Sequence, residues 1–174
     1  MNSDEDIQLV RAFKSGDEEA FDRLFEKYQV PVYSLCYRYV RNDADARELV
    51  LDVFTKVYRN LVRFREQSKF FTWLYRIVVN TCISHTRRHR RSDVPYSSEM
   101  GAHNTVAEAV HMKIAISDAL VQLPERQRLA FILHHYDGYT FSEIGSIMGI
   151  TTGAAKAHHY HAIRKLRKLL KDWL

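Results

Sequence analysis

The chain has 174 residues, 46% of them hydrophobic, with six glycines and three prolines. That composition excludes a disordered or collagen-like polymer and favours helices with few turns. Two cysteines are too few for a disulfide framework, and no apolar run approaches the ~20 residues of a membrane span. The net charge is +5 and the pI about 9.2, a bias toward acidic partners. The sign is uneven along the chain. Met1 to Glu26 carries eight acids against three bases, whereas Gly153 to Leu174 carries six bases against Asp172 alone.

In chain order, Ser3 followed by Asp4, Glu5 and Asp6 reads as a helix start, with acids at the positive end of the dipole. Gly16-Asp17 ends this first helix, and Asp17 is the expected cap of the second. The second carries Phe21, Leu24, Phe25 and Tyr28 on one face and continues past Pro31 to about Arg41. Asn42-Asp43 is a turn and cap, and a long helix is predicted from Ala44 to Leu61. Phe64 to Lys69 is a polar, basic loop. Then Phe70 to Arg91 repeats apolar residues near a 3.6 period: Phe70, Trp73, Leu74, Ile77, Val78, Cys82. Its other face carries Arg76, Asn80, Thr81, Ser84, Arg87, Arg88, Arg90 and Arg91, suited to a polyanion with readable edges. Rings beside cations are what single-stranded nucleic acid requires, since bases stack on aromatics while phosphates pair with arginine. On this stretch alone a plain core helix with a solvated basic tail fits equally well.

Ser92 to about Thr105 loses periodicity and reads as a linker. Helix resumes from Val106 and breaks at Leu123-Pro124. The next helix runs to Asp137-Gly138, with Gly138 a left-handed cap. Thr140 and Glu143 then form a capping box, Gly145 is small where another helix approaches, and Gly149 makes a sharp turn. Thr151 caps a last helix. Short helix, glycine turn and second helix is the helix-turn-helix pattern, whose second helix lies in the DNA major groove. A plain helical hairpin is the alternative; the caps and basic tail favour DNA.

The expected architecture is therefore all-α: two small helical domains joined by a flexible linker, the C-terminal one with a helix-turn-helix. We place the boundaries at 1–92, 93–108 and 109–174. Cys36 and Cys82 sit inside apolar helical patterns and are expected as buried, reduced thiols. No P-loop, dinucleotide turn or Ser/His/Asp arrangement is present, so no catalytic residue and no cofactor is expected. His158 and His161 share a helix face, as do Cys82 and His85, but no four-ligand set has structural spacing, and no metal is expected.

Four stretches in order carry a family resemblance: DEEAFDRLFEKY (Asp17 to Tyr28), DADARELVLDVFTKVYRNL (Asp43 to Leu61), FFTWLYRIVVNTCISHTRR from Phe70, and LPERQRLAFILHHYDGYTFSEIGSIMGITTGAAKAHHYHAIRKLRK from Leu123. Together they resemble the extracytoplasmic-function (ECF) sigma factors, small two-domain bacterial transcription initiation factors, over nearly the whole chain. The resemblance implies an alternative sigma subunit, not an enzyme, that binds core RNA polymerase and melts promoter DNA. It implies that Glu48, Leu49, Asp52 and Phe54 contact the polymerase. The −10 DNA and its flipped base would meet Phe64, Arg65, Ser68, Lys69, Arg76, Asn80, Arg87 and Arg88. The −35 DNA would meet Thr151, Thr152, Lys156, His158, His159 and Arg164. Leu51 stands where the family usually has glutamine, and Ala157 and His158 where it usually has serine and arginine. An anti-sigma factor is an implied partner. The chain is expected to be cytoplasmic, without membrane insertion, and a monomer when free of partners. A conventional helix-turn-helix regulator with a sensory first domain is the alternative; it would need a ligand pocket or a dimer face in that domain.

Overall fold

The computed structural model describes residues 3–91 and 107–171, with side chains over 4–88 and 114–171. The described residues form eight helices: α1 (Ser3–Lys14), α2 (Glu19–Val40), α3 (Asp43–Leu61), α4 (Phe70–Arg91), α5 (Ala107–Val121), α6 (Glu125–His135), α7 (Phe141–Met148) and α8 (Thr152–Leu169). The expected linker at 93–108 lies outside the described residues except for its last two, which open α5.

The first unit, α1 to α4, packs around the apolar stripes read from the sequence. Tyr28, Val32, Leu35 and Tyr39 of α2 meet Leu49, Val53 and Val57 of α3 and Leu74, Val78 and Cys82 of α4, all buried. Pro31 sits inside α2 without ending it. A proline there costs a backbone hydrogen bond, but the buried residues on either side hold the helix by packing. Asp17 does not cap α2. Glu18 occupies the N-cap with helical backbone and no side-chain cap bond. The cap of α3 is Asn42, whose side chain accepts from the Asp45 N–H at 2.9 Å. Asp6 of α1 is buried but compensated: it accepts from Lys27 Nζ at 2.7 Å and from the Tyr28 hydroxyl at 2.6 Å. Burial and the Asp6 carboxylate together push the Tyr28 phenol far up. Cys36 and Cys82 are both free, buried thiols.

The second unit, α5 to α8, has a small core of its own: Ala119, Leu120, Leu123, Phe131, Ala162, Leu166 and Leu170. The other side of this unit (Leu129, Ile132, Leu133, Ile144, Ile147 and Met148) merges with the core of the first. The two units are thus packed face to face. Arg128 is 3% exposed and reaches across the seam: its guanidinium donates to the Tyr39 carbonyl of α2 at 2.7 Å and to the carbonyls of Val121 and Leu123 in its own unit. It also lies over the Tyr39 ring, 4.8 Å from the centroid.

Candidate nucleic-acid and partner interfaces

Three surfaces carry the predicted site residues. The first is the outer side of α3. Its helical register sends Leu49 and Phe54 inward, at 0% and 6% exposure, and Glu48 and Leu51 outward, with Asp52 half-buried between. Leu49 and Phe54 therefore support this face by packing, and the Phe54 ring meets Phe25 edge-on at 4.7 Å. Leu51 is 68% exposed and forms the wall shared by two shallow apolar grooves. One, of about 300 Å³, is lined by Phe21, Phe25, Phe54 and Tyr58. The other, of about 360 Å³, is lined by Val30, Tyr33 and Val50. Tyr58 belongs to the apolar series of α3 expected to pack inward but is 44% exposed, and Val30, 67% exposed, was not singled out from sequence.

The second surface is a cleft of about 430 Å³ between α3 and α4. Lys56, Asn60 and Arg63 line it from the α3 side, and Trp73, Ile77, Asn80, Thr81 and Ser84 from α4. Lys56 Nζ donates to the Thr81 hydroxyl at 3.0 Å, which orients the ammonium along the cleft. Asn60 donates to the Lys56 carbonyl at 2.8 Å. Trp73 is half-buried and tilts against Phe64 and Phe70, with centroids at 5.1 and 5.8 Å, while part of its ring lines the cleft. Of the predicted −10 residues only Asn80 lines this cleft. Thr81 and Ser84 were read on the polar face of α4, whereas Lys56, Asn60 and Arg63 were missed because only the packing of two helices brings them to that face.

The loop before α4 differs from the sequence expectation at one residue. Phe64 is 4% exposed and belongs to the core, leaving Arg65 and Lys69 outside and Ser68 half-buried. Helix α1 pins this loop. Lys14 Nζ donates to the Phe64 carbonyl at 2.6 Å, and Arg11 pairs with Glu66 at 2.7 Å, holding that carboxyl below its usual range. Three predicted arginines of α4 are engaged elsewhere. Arg76 donates to the Ser146 carbonyl of α7 at 2.7 Å, Arg87 lies 3.6 Å from Glu125 of α6, and Arg88 lies 3.6 Å from Asp52 of α3. Phe71 and Tyr75 pack on Tyr139, with centroids at 5.0 and 5.7 Å. One side of α4 is thus covered by the second unit while the cleft side stays open.

The third surface is α8, held against α7 by local chemistry. The Thr140–Glu143 capping box is complete, and the Thr140 hydroxyl at 2.7 Å and N–H at 2.9 Å both donate to the carboxylate and lower the Glu143 pKa. Gly149 ends α7 at φ 65°, a conformation that suits glycine. At Gly145 a Cβ would come within 2.9 Å of the Ile150 carbonyl oxygen, so α8 can approach only because no side chain is there. Thr151 caps α8 by accepting from the Ala154 N–H at 3.1 Å. Thr151, Thr152, Lys156 and Arg164 are exposed, as is Tyr160, which sequence reading passed over. His159 is half-buried and engaged within the unit. Its Nε2 lies 2.9 Å from His135 Nε2 on α6, and its ring packs near Phe131 and Phe141. Burial lowers the pKa of His135, His158 and His159, which favours the neutral rings.

Among the described residues no helix is long and apolar enough to cross a membrane. Residues 24–92 match the model of sigma-70 region 2, and residues 113–166 match that of sigma-70 region 4. The chain is 30% identical to the RNA polymerase sigma-H factor of Pseudomonas aeruginosa, covering all of this chain and 98% of that one. It is 33% identical to the ECF RNA polymerase sigma-E factor of Escherichia coli, over 90% of each chain. It is 28% identical to the ECF sigma factor SigW of Bacillus subtilis, over 94% and 95%. Among solved structures, CnrH in complex with the cytosolic domain of CnrY superposes with a TM-score of 0.72 at 20% identity, covering 98% and 99%. The sigma factor RpoE of Bartonella quintana, in complex with the anti-sigma factor NepR, gives 0.69 at 22%, covering 87% and 96%. With both sigma-70 regions in order on an all-helical scaffold, and relatives matched over nearly their full length, the chain belongs to the ECF sigma factors, non-catalytic subunits that direct transcription initiation.

Proposed function

We propose that the three surfaces divide the work of initiation. The outer face of α3, with Glu48, Leu51 and Asp52, docks on core polymerase. The α3–α4 cleft takes a base extruded from the −10 element, and the outer side of α8 reads the −35 duplex. The domain boundaries that follow are 1–92 for docking and −10 recognition, and 109–174 for −35 recognition. The observation that carries this reading is the cleft itself. It joins the amides of Asn60 and Asn80, the Lys56 ammonium and the Trp73 indole in about 430 Å³, open to solvent. Amides both donate and accept, the cation meets phosphate, and the ring offers a stacking face. Extruding a base costs a few kcal/mol, and stacking returns roughly 1–3 kcal/mol per base.

In the arrangement described, Arg76 and Arg87 are held by the second unit. The two units therefore separate before α4 can present those arginines to DNA. The complexes of CnrH with CnrY and of RpoE with the anti-sigma factor NepR support a protein partner that holds this chain inactive. The free chain is a cytoplasmic monomer in this reading. Purified chain added to core polymerase should start transcripts from a matched promoter; absence of starts across a genome-wide template set would overturn the proposal.

A further inference from the structure

Asp45 and Glu48 lie one turn apart on α3, and His85 faces them from α4. One ligand atom from each of the three lies within 4.8 Å of the others. His85 is 3% exposed, Asp45 half-buried and Glu48 at the surface, so the cluster meets solvent at Glu48. The neighbouring acids of α3 have cationic partners: Asp43 pairs with Arg47 at 2.8 Å, and Asp52 faces Arg88 at 3.6 Å. The ion pairs among the described residues engage neither Asp45 nor Glu48. Two carboxylates are thus gathered beside an imidazole, and Arg47 and Arg88 face other acids.

We propose that Asp45, Glu48 and His85 bind a first-row transition dication such as Zn²⁺ or Co²⁺. Imidazole nitrogen with carboxylate oxygen suits these ions, whereas Mg²⁺ and Ca²⁺ prefer an all-oxygen shell. Metal–ligand bonds of about 2.0–2.2 Å require the three donors to stand somewhat closer than the 4.8 Å limit. Glu48, the exposed one of the three, supplies that adjustment by rotating its side chain. Water completes the shell on the open side. The bound ion ties the start of α3 to the second half of α4 and neutralises Glu48. The site does not depend on the assignment of α3 as the polymerase-docking helix. Its ligands come from positions 45, 48 and 85, a spacing that no linear metal motif has.

The test is titration of the full chain with Co²⁺, followed by its visible absorption, and with Zn²⁺ by calorimetry and thermal melting. The expected result is one equivalent bound, with a Tm rise of about 5 °C when metal exceeds Kd about a hundredfold. Asp45→Asn and Glu48→Gln should each weaken binding roughly tenfold or more, and neither truncates the core. His135→Gln, which removes the exposed imidazole pair on α6 and α8, should leave the affinity unchanged. Millimolar Mg²⁺ should not compete. Three outcomes would sink the proposal: no saturable binding by the wild-type chain, equal affinity in the Asp45 and Glu48 variants, or loss of binding with His135→Gln alone.

Discussion

At the scale of single residues, helical register separates what a side chain is from what it can touch. Asn80 and Phe64 were both assigned to −10 DNA by resemblance, but Asn80 is exposed in the α3–α4 cleft whereas Phe64 is buried under Lys14 and beside Trp73. Asn80 lies away from the outer face of α3, so its amide can be removed without altering that surface. Asn80→Ala is accordingly expected to change −10 preference by about tenfold at one promoter position, corresponding to roughly 1–3 kcal/mol for a lost base contact, with core binding intact. In vitro transcription from a −10 library, alongside a polymerase pull-down, measures both. Loss of core binding would place Asn80 on the wrong face. His159 shows the same separation. Its residue type suits a DNA groove, yet its ring is half-buried and held against His135.

At the scale of elements, short-range rules account for most boundaries. Thr140 with Glu143, Gly149 and Thr151 set the limits of α7 and the start of α8 through hydrogen bonds spanning three or four residues. Such bonds are legible in sequence because both partners lie in one window. The closeness of α7 and α8 depends on Gly145 in a different way. A methyl there would meet backbone, which cannot rotate aside, at 2.9 Å. Gly145→Ala should therefore destabilise the second unit by about 1–3 kcal/mol, despite the better helix propensity of alanine. A melting temperature equal to or above wild type would show that α8 shifts at little cost.

At the scale of the whole molecule, the seam between the units determines which faces are available. Asp137, in the turn after α6, accepts from Arg38 of α2 at 2.9 Å. Burial nevertheless dominates and pushes its pKa up to about 6, from an ordinary value of 3.8. The sign follows from linkage. A carboxyl with a raised pKa in the closed state favours closure when protonated. This contribution is fully present below about pH 4 and is lost as pH rises through 6. Between pH 7.5 and pH 5 the closed population should gain roughly tenfold, about 1.4 kcal/mol, seen as a smaller radius of gyration in small-angle scattering. Asp137→Asn should flatten that dependence. An unchanged slope in the variant would show that Asp137 does not set the pH response.

Sequence alone determined the helices, the helix-turn-helix and the family, because periodicity, caps and glycine turns act within a few residues and each motif occupies one continuous stretch. It also indicated that α4 carries a chemical face, since Arg76 and Asn80 stand opposite the apolar stripe. Only the tertiary structure decided how that face is divided, with Asn80 open in a cleft and Arg76 bonded to Ser146, seventy residues away. It alone joined Lys56 to Thr81, and Asp45 and Glu48 to His85. The physical reason is that these contacts form between helices whose relative rotation is set by core packing, by side chains such as Tyr28, Leu49 and Val78 acting together. No local pattern records that rotation.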